Sequence, residues 1–162
     1  MINLEEAEII QNPAHAAILL YGFTLGYTNS GKYRSCPLSL IFLAIPILLN
    51  DEWIDLFQRT QKKSGLSKII GKITKNVQRD NLLNLSNQSK EYRELTLEAL
   101  RLGFASEIFV LSLSEGAINP NMQLYKRLDK EVDTTIKIAS KIGLMFSDSS
   151  LLEIQQLLKV RL

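Results

Sequence analysis

The chain has 162 residues, of which 46% are hydrophobic and 22% charged, so it can bury one core of its own and is too apolar for general disorder. A formal net charge of +2 excludes a uniformly polybasic nucleic-acid binder, and a single cysteine, Cys36, excludes an internal disulfide and a thiolate metal cluster. That lone cysteine, with Glu5, Glu6 and Glu8 where a signal peptide would carry cations, predicts a cytoplasmic protein.

Residues 1–11 read as a short acidic lead-in. Asn12-Pro13 predicts a helix start, with an N-cap followed by proline in the first turn. This helix carries His15, Ile18, Leu19, Phe23 and Tyr27 and ends at Gly31; Gly22 and Gly26 along it predict close packing on another helix. Ser35-Cys36-Pro37 opens the run CPLSLIFLAIPILLN, the most apolar stretch in the chain. Pro46 interrupts the run and Asn50 ends it, well short of the ~20 apolar residues a membrane span needs, so a buried helix or a helix pair kinked at Pro46 is predicted.

Asp51 starts a short helix, DEWIDLFQRTQ, with its carboxylates at the positive end of the helix dipole. After the break at Ser64-Gly65, Leu66, Ile69, Ile70, Ile73 and Val77 recur at helical spacing and predict one amphipathic helix. The stretch 81–89 reads as a turn or loop. A strong helix follows through Leu95, Leu97, Leu100 and Leu102, with Gly103 as its terminator. The residues from Ile108 to Asn119 alternate around Glu115-Gly116 and predict a β-hairpin. An amphipathic helix over 123–142 uses Leu124, Leu128, Val132, Ile136 and Ile138 and breaks at Gly143, and Ser147 or Ser149 caps a last helix.

These elements predict a mainly α fold in a single domain: a helical N-terminal layer over about residues 1–80, then a winged-helix-like unit with one small β-hairpin over about 81–162.

Enzyme signatures are missing. His15 stands alone on an apolar helix and reads as a core or interface histidine; Cys36 beside Pro37 reads as a small buried apolar residue. Asp129, Glu131 and Asp133 interleave with Lys126, Arg127 and Lys130, as on a solvated face. No metal-ligand spacing, phosphate loop or catalytic motif occurs, so no cofactor is expected.

The informative feature is a basic stripe. Arg59, Lys62, Lys63, Lys68, Lys72, Lys75 and Arg79 follow one another with no acidic residue between Arg59 and Arg79. Lys68, Lys72, Lys75 and Arg79 fall opposite the isoleucines at about 100° per residue, which predicts one face for packing and one for DNA phosphates or an acidic protein surface. A solvated lysine face accounts for the same spacing. The helix around Glu91 to Arg101, where a winged helix would read DNA, carries Glu91, Glu94 and Glu98, which favours protein docking over base readout.

The segments NPAHAAILLYGFTLGY, CPLSLIFLAIPILL, the amphipathic middle helix, LEALRLGFASEIFVLSLSEGAINP and KIGLMFSDSSLLEIQQLLKVRL, in this order, resemble the small middle component of three-component ABC-ATPase systems. In particular the chain is similar to the small subunit (LmuC-type) of Lamassu anti-phage and anti-plasmid defence. The resemblance covers nearly the whole chain and carries over no catalytic residue. It implies a non-enzymatic accessory subunit at the heads of an SMC-like ATPase dimer, linking them to a nuclease effector in a complex that senses double-stranded DNA. It also implies docking through the proline-bracketed helix, for which Pro37, Leu40, Phe42 and Pro46 are the candidate residues. The alternative function is a free-standing winged-helix DNA-binding regulator.

Overall fold

The structure, a computed structural model, describes residues 11–75, 79–127 and 130–162, and the side chains of all of these except 74, 75, 127, 130 and 131. Residues 1–10, Val77, Leu128 and Asp129, which figure in the expectations above, lie outside the described residues.

Eight α-helices and a three-stranded antiparallel sheet make up the described chain. Helix α1 spans Pro13–Asn29, and the Asn12 Oδ1 accepts from the Ala14 and His15 amides. Strand β1, Cys36–Pro37, leads directly into α2, Leu38–Leu48, which runs through Pro46 as one helix. Helix α3 spans Asp51–Gln58 on an Asn50 cap. A 3-10 turn at Lys62–Ser64 leads into α4, Gly65–Lys75. Helices α5, Arg79–Glu91, and α6, Arg93–Ala105, precede the hairpin of β2, Phe109–Ser112, and β3, Ala117–Pro120. A second 3-10 turn, Leu124–Arg127, precedes α7, Lys130–Phe146, and α8 is Leu151–Leu158.

The predicted mainly α architecture with a small hairpin is the observed one, and several local readings change. The stretch 81–89 is helical and buries Leu82 and Leu85, because α2 supplies a surface to cover them. Gly103 and Gly143 sit inside helices and end neither of them. Both are contact points: a Cβ at Gly103 would collide with the Phe109 ring, and one at Gly143 with the Phe23 carbonyl. Helix α6 buries Thr96, Ala99, Leu100 and Gly103, of which only Leu100 is large, and leaves Leu97 and Leu102 exposed. The last helix is capped by Ser150, whose Oγ accepts from the Glu153 amide while the Glu153 carboxylate accepts from the Ser150 amide.

Cys36-Pro37 opens the apolar helix as expected and also forms a strand. Cys36 stands opposite Ile118 and Pro37 opposite Ala117, giving the sheet order β1-β3-β2. The hairpin of the second half therefore takes its third strand from the first half. Helix α1 lies along α7 in the most extensive helix contact of the fold, which Gly22 and Gly26 allow. An aromatic row joins three helices: Trp53 to Phe57 at 6.2 Å, Phe57 to Phe146 at 6.1 Å and Phe146 edge-on to Phe23 at 5.4 Å.

No helix among the described residues is long and apolar enough to cross a membrane. The apolar run is interior: Leu40, Ile41, Leu43, Ala44, Ile45, Ile47 and Leu48 are all buried within the chain itself.

Candidate functional site

The amphipathic pattern of α4 sends Leu66, Ile69, Ile70 and Ile73 into the core, where they are buried against α8, α5 and α7. Lys68 then faces solvent, as do Lys62 and Lys63 in the preceding turn. Arg79, also exposed, stands in α5, whereas Lys68 and Lys72 belong to α4. The Lys75 side chain lies outside the described ones.

Two of the cations are already held. The Arg59 guanidinium donates to Asp55 one turn back at 2.8 Å. Lys72 is half-buried, and its Nζ donates to the Thr60 Oγ1 at 2.8 Å. Thr60 is itself buried and donates to the Leu56 carbonyl, so Lys72 anchors α4 to the end of α3.

The fold adds a cation from far away in the chain. Lys141 of α7 donates its Nζ to the Gln58 carbonyl at 2.7 Å. Burial lowers its pKa, and the nearby Lys62 and Lys72 ammoniums lower it further. Lys62, Lys72 and Lys141 thus form a mutually repelling cluster at the junction of α3, α4 and α7. Lys137, one turn before Lys141, is paired with Asp133 at 2.6 Å, and Asp133 also accepts from the Tyr125 hydroxyl at 3.0 Å. Sequence reading missed Lys137 and Lys141, because only the α7 packing brings them beside residues 58–72.

The candidate docking residues divide by burial. Leu40 and Pro46 are buried inside the chain, whereas Pro37 and Phe42 are half-buried. Phe42 lines a cleft of about 260 Å³ with Lys90, Arg93 and Arg161, so a partner reaching α2 meets Phe42 and not Leu40 or Pro46.

The candidate reading helix of a winged helix, α6, presents Glu94 and Glu98 outward, with Arg101 held by Glu98 at 2.8 Å. The hairpin exposes Val110 and, at its tip, Leu113, which is 86% accessible.

Among the described residues no group of three or more His, Cys, Asp or Glu side chains could hold a metal. Cys36 is fully buried and burial raises its pKa, so it is no thiolate nucleophile. Burial lowers the pKa of the half-buried His15.

No curated protein and no solved structure matches the chain. The family model described as ABC-three component (ABC-3C) system Middle Component 3 matches residues 2–162. A match of that length shows the family: the chain belongs to the Middle Component 3 family of ABC-three component systems, whose members act as accessory components beside an ABC ATPase.

Proposed function

We propose that the chain is a non-enzymatic accessory subunit of Lamassu type, working in the cytoplasm at the heads of an SMC-like ABC-ATPase dimer. It links the heads to a nuclease-type effector and helps the complex respond to double-stranded DNA. The observation that carries the reading is the match of residues 2–162 to an ABC-3C middle component, since membership of a multi-component system implies partner proteins. Exposed cations at Lys62, Lys63, Lys68 and Arg79, and the half-buried Phe42 on α2, supply surfaces such partners would need. Co-expression with its genomic neighbours, then size-exclusion chromatography with light scattering, tests it. Co-elution with a coiled-coil ATPase and an effector is expected; a chain that runs alone sinks the assignment.

A specific observation favours one other reading. A helix feeding a hairpin, with a third strand in the order β1-β3-β2, has features in common with winged helices, which supports a free-standing DNA-binding regulator. The acidic outer face of α6 weighs against it.

A further inference from the structure

We propose that the cleft rimmed by Lys62, Lys137 and Lys141 is a docking groove for an amphipathic acidic segment of a partner protein. The inference deepens the accessory-subunit reading and rests on it. The cleft encloses about 540 Å³ between the C-terminal half of α1, the turn at Lys62 and α7. Leu25, Ile136 and Leu144 furnish its walls, and Met122, 56% exposed, stands at its side. An exposed methionine beside an apolar hollow is a flexible surface for a partner's side chains.

Every charged residue lining this hollow is a lysine, but Lys137 is already paired at 2.6 Å with Asp133 just outside it, which leaves Lys62 and Lys141 as the cations a partner would meet. Among the described residues no Asp or Glu lines the cleft, and Lys62 has no ion pair. Lys141 is held by a neutral carbonyl and lies within the field of Lys62 and Lys72. Carboxylates arriving at this rim would offset that repulsion. An apolar floor inside a cationic rim is complementary to a helix with leucine-like residues on one face and carboxylates beside them.

Duplex DNA would use the same cations differently. Phosphates gain nothing from Leu25, Ile136, Leu144 or Met122, and a duplex is too broad to enter a hollow of this volume. The combination of hydrocarbon and cation is what selects a peptide.

The test uses the full chain and fluorescence anisotropy. One labelled probe is a peptide of about 18 residues, roughly five helical turns, with Leu at i, i+3, i+4 and i+7 and Glu elsewhere. A second has the same composition with the leucines dispersed, and a third is a short DNA duplex. Lys62→Glu and Met122→Asp are compared with the parent chain, with circular dichroism confirming the fold of each. The amphipathic peptide is expected to bind, about tenfold more tightly than the dispersed one, and to lose about tenfold in affinity in each variant. Equal binding of the two peptides, no binding of either, or unchanged affinity in Met122→Asp overturns the groove. So does Lys62→Glu abolishing duplex binding while leaving peptide affinity intact. The groove and the subunit assignment fail separately, because the assignment is read from co-elution with the ATPase and the groove from the anisotropy of the chain alone.

Discussion

Gly26 packs so closely on Ser140 that a Cβ at position 26 would lie inside the contact shell of the Ser140 carbonyl oxygen. The same is true in reverse at Gly143, which faces the Phe23 carbonyl. Backbone therefore meets backbone along α1 and α7, and neither side can move aside without shifting a helix. Gly26→Ala is expected to destabilise the fold by about 3 kcal/mol in urea titration. Gly103→Ala is expected to cost less, about 1 kcal/mol, because it meets the Phe109 ring and a ring can tilt where a carbonyl cannot. An inverted order would mean that α1 and α7 separate easily.

The start of α8 offers a finer comparison. Ser150 makes both bonds of a capping box with Glu153, whereas the Ser149 amide bonds back to Phe146. Ser150→Ala is expected to cost about 1 kcal/mol, and Ser149→Ala close to nothing. Paired thermal melts of the two variants check this.

His15 gives the fold a pH dependence of fixed sign. Burial lowers its pKa in the folded chain, so the unfolded chain binds the proton more readily. Stability from this residue is full above its unfolded value of about 6.5 and is lost as pH falls through the lower folded value. Between about pH 7 and pH 5 the urea midpoint should fall, and His15→Gln should flatten that slope. A slope unchanged by the substitution would place the effect on carboxylates.

Lys62 and Lys137 should differ in sign although both are exposed lysines at the same cleft. Lys137 holds Asp133, so Lys137→Ala is expected to lower the melting temperature slightly. Lys62 repels Lys141, so Lys62→Ala should leave the melting temperature unchanged or raise it slightly. A marked loss of stability in Lys62→Ala would give that lysine a structural role.

Local chemistry determined much of this molecule by sequence alone. Asn12-Pro13, Asn50 with Asp51 and Glu52, and the spacing of Leu66, Ile69, Ile70 and Ile73 each specify a helix start or a buried face through neighbours within a few residues. The alternation around Glu115-Gly116 did the same for the hairpin. Glycines were legible only where their role was local: Gly116 takes a positive φ of 57° in the turn, but Gly103 and Gly143 look like helix stops until the facing elements appear. The helix over 79–91 was hidden for the converse reason, since its polar composition promises little and tertiary cover on Leu82 and Leu85 decides it.

The candidate surface divides along the same line. The cations between Arg59 and Arg79 are plain in the sequence, but which of them remain free is not. Asp55 holds Arg59, Thr60 holds Lys72, and Leu40 and Pro46 disappear into the core. Lys141 joins Lys62 across about half the chain because α1 and α7 pack through glycines. Charge and periodicity are properties of residues close together in the sequence, whereas a cleft exists only where distant helices are brought together, and only the tertiary structure decides that.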